Sequence, residues 1–443
     1  MTQGNDGSAV DRRMALAREW DALVEEVRTV EGFEDFLRPP SIEQLLPAAE
    51  HGPVVVVNVS RWRCDALVVR TSGVTPVELP RLTLDDATRR AEEYLSALQG
   101  VDIAADAYLE ALDSPDRSRD AARRQLAAGQ AQEAALERVE DLLRELQEWM
   151  WSAIAEPVFG ELEWDRTPAG PSSKWPRLWW CPTGPLTVLP LHSAGFHDDP
   201  PGPGRRTVID RAVSSYTPTL RALLEARAPD RRLASAVSSE TAEDRDDTAD
   251  RLLHVVLENT PDQLSLDATQ ERAAFTAIDE SRRAELLGPA ATREAVLAAL
   301  PQYRWVHFTC HGDQNLQDPS RGGLQLYDGR LTIAEIAASR FDGDYAGLGS
   351  CKSAVGGVEL LDEAITLAAA LHYTGYRHVV ATLWSVDDEV SSEVFAFLYR
   401  RIVAGGRLRP GEAAEALHDA VRERRDRGSG GSRTWTPFIH IGP

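Results

Sequence analysis

The chain contains the stretch Trp305-Val306-His307-Phe308-Thr309-Cys310-His311-Gly312-Asp313, in which an apolar run ends at His-Gly and a polar loop follows. A second stretch has the same form, Tyr345-Ala346-Gly347-Leu348-Gly349-Ser350-Cys351, and it leads into a loop that contains two glycines. Short apolar runs bounded by such loops are typical of buried strands. We therefore expect His311 and Cys351 at the ends of two strands.

Strands and helices alternate around these two stretches. The pattern predicts strands at 252–257, 304–309, 323–327, 345–350 and 376–383. It predicts helices at about 270–280, 292–300, 332–338, 361–373, 388–403 and 411–425. Such alternation is typical of an α/β fold with a mostly parallel sheet flanked by helices. Because ligands bind at the carboxyl ends of parallel strands, His311 and Cys351 can face each other there.

The first half of the chain predicts a second lobe with a helical insertion. An amphipathic helix is expected at 11–30, followed by strands at 54–59, 66–69 and 74–79 joined by short turns. The pattern is helical from about 84 to 157, and β segments are expected near 178–181, 208–210 and 213–216. A polar, charged stretch at 227–250 marks the junction. The predicted parts are an N-terminal helix and linker (1–40), a first lobe (41–230) and a second lobe (251–443).

Composition narrows the class of protein. The 443 residues are 43% hydrophobic and 27% charged, which is typical of a globular chain. A formal net charge of -22 disfavours a sequence-independent nucleic-acid binder, since phosphates would be repelled. The same charge would attract a basic partner or peptide, although solubility alone also explains it. The four cysteines lie far apart without a CxxC pair, so neither a zinc site nor a disulfide framework is expected.

The sequence also bears on the compartment. The first residues, 1–13, have no apolar core, so we expect no secretory signal. No run of 18 apolar residues occurs, so we expect no membrane span and a cytoplasmic location. A reducing compartment would keep a catalytic thiol free.

A thiol and an imidazole at neighbouring strand ends suit acyl transfer. The thiolate is the nucleophile, and an imidazole can remove its proton and later protonate the leaving amine. The backbone N–H groups of Gly312 and Cys351 are candidates for holding the oxyanion. This chemistry needs no metal or cofactor. The alternative is structural, because a lone Cys at a strand end is often a small buried apolar residue and a lone His a satisfied polar group.

The order of short motifs in the second half resembles the CHAT family, relatives of caspases and separase. The matching motifs are residues 307–312, 322–329, 349–354, 362–365, 375–380, 383–388 and 435–439. The resemblance implies a caspase-like α/β lobe in which His311 and Cys351 form the catalytic dyad. One departure is Lys352-Ser353, where the family often has an acidic residue and a hydroxyl. A cation beside Cys351 could lower the thiol pKa, or Lys352 could point away.

The first half is similar to actinobacterial members of the same family. The matching stretches are residues 32–40, 179–186 and 214–219. This resemblance implies a degenerate caspase-like lobe, interrupted by the helical insertion and packed on the active lobe.

Three carboxylates are candidate substrate-binding residues. In separase-like relatives an acidic residue after the Leu-Trp strand contacts a basic P1 side chain, and Asp388 occupies that position, with Asp387 beside it. Asp387 and Asp388 could equally cap the helix that follows. Asp362 lies close in sequence to the Cys351 loop and could shape the cleft, or serve at the start of a helix.

The resemblance implies a cysteine endopeptidase that acts on a protein or peptide substrate by Cys-His acyl transfer. The finer hypothesis is cleavage after a basic P1 residue. Many relatives need an activating or regulatory protein partner, and this chain could be latent in the same way. The alternative is a catalytically silent caspase-like scaffold for protein–protein interaction in bacterial signalling or defence. Neither nucleic acid nor a membrane is an expected partner.

Overall fold

The computed structural model describes residues 6–30, 32–33, 36–116, 118–228, 250–260, 265–313, 319–349, 366–428 and 430–443. Its α-helices are α1 (Asp6–Arg28), α2 (Ile42–Leu45), α3 (Leu84–Asp113), α4 (Arg119–Met150), α5 (Glu156–Leu162), α6 (Leu220–Arg227), α7 (Thr269–Phe275), α8 (Arg293–Ala299), α9 (Ile333–Ala337), α10 (Leu367–Thr374), α11 (Asp388–Ile402) and α12 (Ala413–Arg427).

The strands follow the same chain order. They are β1 (Val54–Asn58), β2 (Asp65–Arg70), β3 (Gly73–Glu78), β4 (Arg177–Pro182), β5 (Val213–Tyr216), β6 (Leu252–Val256), β7 (Arg283–Leu287), β8 (Trp305–Thr309), β9 (Gly312–Asp313), β10 (Gly323–Leu326), β11 (Gly329–Thr332), β12 (Tyr345–Leu348), β13 (His378–Thr382), β14 (Val403–Ala404), β15 (Arg407–Leu408) and β16 (Phe438–Ile441).

The chain divides into two compact units, residues 1–45 and 46–443. The first unit contains α1, which agrees with the helix predicted at 11–30. Within this unit the Arg28 side chain donates to the carbonyl of Phe36, and the rings of Phe33 and Phe36 meet edge to face.

The second unit is built on one sheet of eleven strands among the described residues, in the order β3-β2-β1-β4-β5-β16-β13-β12-β8-β6-β7. From β1 through β4 and β5 to β16 the neighbours are parallel, and β16 is antiparallel to β13. The strands β13, β12, β8, β6 and β7 are again parallel to one another. The sheet therefore consists of two half-sheets, β3-β2-β1-β4-β5-β16 and β13-β12-β8-β6-β7, whose parallel strands run in opposite directions. Only β2 departs from this within its half-sheet, since it is antiparallel to β1 and β3, so the sheet is mostly parallel as predicted.

The helical insertion is a hairpin of α3 and α4. Thr83 and Ser118 lie at the two N-caps, and each side chain accepts a hydrogen bond from a main-chain N–H of the first turn. One face of α4 buries Val139, Leu143 and Leu146 in the core, since they recur at helical spacing. The predicted insertion at about 84–157 thus follows from its caps and its apolar stripe.

Two predicted strands differ from the structure. The strand expected at 323–327 is β10, but it pairs antiparallel with β9 and β11 in a small separate sheet. The segment predicted at 208–210 is a turn, in which the main-chain N–H of Arg211 donates to the carbonyl of Val208. Its apolar Val208 and Ile209 are buried by tertiary packing, which the strand pattern could not distinguish from pairing.

The two half-sheets are joined at β16. Its His440 contacts Ser215 of β5 at 2.8 Å and His378 of β13 at 3.1 Å. A second link is the buried Asp210, which accepts two hydrogen bonds of 2.8 Å from the Arg425 guanidinium of α12. The lobes predicted at 41–230 and 251–443 stay a prediction, because one continuous sheet runs through both ranges.

Candidate active site

His311 follows the carboxyl end of β8. The neighbouring strand β12 is parallel to β8, with Gly347 opposite His307 and Leu348 opposite Phe308. The pairing continues past the strand, because the main-chain N–H of Gly349 donates to the carbonyl of Phe308 at 3.0 Å. The chain leading towards Cys351 thus leaves the sheet beside the one leading to His311. Cys351 itself lies outside the described residues, as do Lys352 and Asp362.

The small sheet fixes the main chain at His311 and Gly312. The N–H of Gln325 donates to the carbonyl of His311 at 2.8 Å, and Leu324 lies opposite Gly312. Hydrogen-bonded and non-bonded pairs alternate along an antiparallel ladder. The pair that contains Gly312 is therefore of the non-bonded kind, and its N–H points away from β10. This orientation is the one that an oxyanion donor at Gly312 would need.

The other polar residues near His311, along β8 and just after it, are buried. Cys310 is fully buried and belongs to the core. His307 is also fully buried, whereas His311 is partly exposed. Three histidines elsewhere in the chain, His372, His378 and His440, are buried as well.

Asp388 is placed close to His311. Its Oδ2 accepts a hydrogen bond of 2.7 Å from the main-chain N–H of Asp267. Burial raises the pKa of the Asp388 carboxyl, and the Asp267 N–H and the nearby His311 ring oppose that rise. The carboxylate therefore belongs to the same edge of the sheet as the candidate base.

Asp387 occupies the N-cap position of α11, but its side chain makes no capping hydrogen bond. It is exposed and forms an ion pair of 3.4 Å with Arg433. The main-chain N–H groups of Ser432 and Arg433 in turn donate to the Glu140 carboxylate of α4. Of the two adjacent aspartates, Asp388 is the one that is partly buried and whose pKa is affected by the charge of His311.

Three further carboxylates surround Asp388, and the sequence analysis missed all of them. Glu258 and the carboxylate of Asp267 raise the pKa of Asp388 through their negative charge. Glu271 lies behind them and is buried, and its carboxylate contacts the Ser392 hydroxyl at 3.0 and 3.1 Å. Glu258 could have been found, because it follows the apolar run of β6 as His311 follows β8. Asp267 and Glu271 are brought here by the packing of α7 on α11.

Among the described residues, no group of three or more His, Cys, Asp or Glu side chains is arranged to hold a metal ion. Across the same residues, every helix is too short or too polar to cross a bilayer.

A family model of the CHAT domain matches residues 140–443. This chain belongs to the CHAT domain family. The match begins within α4 and includes β4 and β5, so the CHAT match covers strands of both half-sheets. A comparison with curated proteins found no match.

Two solved structures of the Saccharomyces cerevisiae separase–securin complex share the fold. One aligns at 10% identity with a TM-score of 0.52, and the other at 11% with 0.53; each alignment covers 90% of this CHAT chain. The CHAT chain spans 30% of those separase chains. A complex of the Porphyromonas gingivalis RgpB pro- and mature domains aligns at 10% identity and a TM-score of 0.41, covering 69% of this chain and 76% of that one. The fold predicted from the sequence, a caspase-like α/β sheet flanked by helices, is confirmed.

Proposed function

We propose that this CHAT protein is a cysteine endopeptidase in which Cys351 attacks the scissile carbonyl and His311 serves as its general base. The observation that carries the proposal is the alignment of β8 and β12. Both strands of this parallel pair end at the same edge of the sheet, and His311 and Cys351 follow them in the sequence. The proposed oxyanion donors are the main-chain N–H groups of Gly312 and Cys351.

The reaction proceeds in two steps. His311 takes the thiol proton, Cys351 forms a thioester with the acyl part of the substrate, and the imidazolium returns the proton to the leaving amine. Water, deprotonated by His311, then hydrolyses the thioester and restores the thiol. Removing a donor such as the Gly312 N–H from an oxyanion hole typically costs about 3–4 kcal/mol of barrier.

The finer proposal is cleavage after a basic P1 residue. Asp388 offers a partly buried carboxylate beside His311, and Asp267 and Glu258 add negative charge around it. A guanidinium would form charge-assisted hydrogen bonds with such a carboxylate. Asp362 remains a proposed member of the same cleft.

The partner is also a proposal. The separase relative was solved as a complex with securin, a protein partner of that separase. A regulatory protein that assembles or blocks the dyad would be the corresponding partner here. If no such partner supports turnover, the second candidate function is a caspase-like scaffold in bacterial signalling or defence.

The test is hydrolysis of fluorogenic peptides with Arg at P1 by the purified full chain, with Cys351→Ala and His311→Ala as variants. We expect thiol-dependent release of the fluorophore by the wild type and loss of it in both variants. An Arg-based acyloxymethyl ketone should label Cys351, as read by mass spectrometry. Turnover that survives in Cys351→Ala would refute the peptidase assignment, and absence of both turnover and label would favour the scaffold.

A further inference from the structure

His307 lies on β8, the strand that precedes the proposed base, and faces β12, the strand that precedes the proposed nucleophile. It precedes His311 by four residues on β8, and it stands opposite Gly347 of β12 in the parallel pairing. Gly347 in turn precedes Cys351 by four residues. One buried imidazole therefore belongs to the strand that leads to the base and lies beside the strand that leads to the nucleophile.

Two glycines of β12 make room for this imidazole. A Cβ at Gly347 would come within 2.4 Å of Tyr399 Oη and 2.6 Å of His307 Nδ1. A Cβ at Gly349 would lie 3.4 Å from Cε1 and Nε2 of the same ring. The ring edge of His307 thus lies against the backbone that runs towards Cys351.

The ring is held in one orientation. His307 Nδ1 and the Tyr399 hydroxyl of α11 are 2.8 Å apart, a hydrogen bond between buried groups. The rings of Phe395 and Phe275 pack on His307 with centroids at 4.9 and 5.7 Å. Burial holds the pKa of His307 well below its ordinary value, so the imidazole is neutral at physiological pH.

The opposite nitrogen has no such contact. His307 Nε2 is fully buried and has no hydrogen-bond partner among the described residues. This atom lies at the ring edge nearest Gly349, two residues before Cys351.

We propose that His307 is a positioning residue: its ring, held by Tyr399, packs on the backbone of Gly347 and Gly349 and so sets the course of β12 towards Cys351, and with it the approach of the thiol to His311. This inference rests on the peptidase function proposed above. His307 touches neither substrate nor reacting atoms. Its effect is therefore expected on kcat, through the geometry of the dyad, and not on substrate affinity.

The test compares His307→Asn and His307→Gln in the full chain. An Asn amide reaches only as far as Nδ1 and keeps a group for Tyr399, whereas a Gln amide reaches as far as Nε2. We expect kcat to fall about 100-fold in the Asn variant at nearly unchanged KM, since a displacement of about 1 Å can cost that much. The Gln variant should recover about tenfold of this loss.

His378→Asn is the matched control, because His378 is a buried histidine on the same sheet and is not part of the dyad. It should lose stability without the selective loss of kcat. Equal kcat in the two His307 variants, or an equal loss in the control, would overturn the inference. Should both His307 variants fail to fold, Tyr399→Phe removes only the anchoring hydroxyl, and an unchanged kcat there would also overturn it.

Alkylation separates this inference from the proposed function. The rate at which iodoacetamide modifies Cys351 as a function of pH reports the thiol–imidazole pair without a substrate. A wild type that shows neither turnover nor His311-dependent alkylation contradicts the peptidase function and this inference together. Wild-type activity with no difference between the His307 variants contradicts the inference alone.

Discussion

At the residue scale, the main-chain hydrogen bond from Asp267 decides what Asp388 can do. The sequence left two roles open for the Asp387-Asp388 pair, a helix cap and a substrate contact. Asp387 takes the cap position without a capping hydrogen bond and pairs with Arg433. Asp388 Oδ2 is held by the Asp267 N–H, which keeps the carboxylate near His311. A fixed carboxylate loses little entropy when a cation binds, which favours selective recognition.

The first prediction concerns this carboxylate. Asp388→Asn should lower kcat/KM for an Arg-P1 peptide about 100-fold, because a charge-assisted pair is lost at a cost of ~3 kcal/mol. Cleavage of a peptide with uncharged P1 should change much less. Asp387→Asn is the matched control, since that side chain is exposed, and it should stay within about threefold of wild type.

The pH dependence of selectivity for Arg at P1 should follow from the Asp388 carboxyl. Burial raises the pKa of Asp388, so its charge is lost at a higher pH than that of an ordinary aspartate. Selectivity for Arg over an uncharged P1 should therefore decline as pH falls in the wild type. The Asn variant should show no such decline in selectivity, and a parallel decline would contradict the role of Asp388.

At the element scale, α7 and α11 meet around a buried carboxyl. Glu271 of α7 contacts the Ser392 hydroxyl of α11, and that hydroxyl is also 3.0 Å from the carbonyl of Asp267. A hydroxyl has one proton and cannot donate to both oxygens at once. A protonated Glu271 resolves this, because it can donate to Ser392 while Ser392 donates to Asp267. Burial raises the pKa of Glu271 to about 7, and the nearby carboxylates of Asp388 and Asp267 add to the rise.

The second prediction concerns how the contribution of this helix pair to the stability of the fold changes with pH. Because the folded pKa lies above the unfolded one, the contribution of Glu271 is complete below about pH 4.5 and is lost as pH rises through about 7. The total loss is on the order of 3 kcal/mol. Glu271→Gln keeps a neutral partner for Ser392 and should remove this loss. Urea unfolding at pH 5 and pH 8 measures the difference in unfolding free energy between wild type and variant, in which the shared effect of the buried histidines cancels. A difference that stays the same at both pH values would contradict the assignment.

At the scale of the whole molecule, buried histidines should lower the stability of the fold at acidic pH, whereas Glu271 lowers it at alkaline pH. Of the ten histidines in the chain, eight have pKa values lowered mainly by desolvation; seven of them are buried and His197 is partly buried. They are His192, His197, His254, His307, His372, His378, His418 and His440. Each must stay neutral for the fold to persist. Their stabilising contribution is present above about pH 6.5 and is lost as pH falls towards the folded pKa values. We therefore expect the protein to be labile to acid.

The third prediction tests the histidine pair where the two half-sheets meet. Burial lowers the pKa of His378 to about 3 and that of His440 well below its ordinary value. Each such group should cost about 2 kcal/mol between pH 7 and pH 5. His440→Gln should lower stability at pH 7 but reduce the additional loss at pH 5 by about that amount. His51→Gln, at an exposed histidine, should leave the loss unchanged, and an unchanged loss in His440→Gln would count against the pair.

Much of the second lobe could be predicted because its signals are local. The apolar runs of β8, β12 and β13 identify three strands, and His311, Cys351 and Asp388 follow these runs in the sequence. The sequence pattern also predicts β10 but not its pairing partners, because hydrogen-bond pairing depends on where the neighbouring strand lies. For the same reason the apolar Val208 and Ile209 predict a strand where the structure has a turn.

The sequence by itself determined the fold class, the helical insertion and the proposed dyad, since periodicity, caps and ordered motifs are encoded in neighbouring residues. Only the tertiary structure decided the carboxylates around Asp388, the His307 contact with two glycines and the histidine pair between half-sheets. These groups lie far apart along the chain, from residue 215 to residue 440 at the sheet junction. Their chemistry arises from burial and from partners that packing supplies.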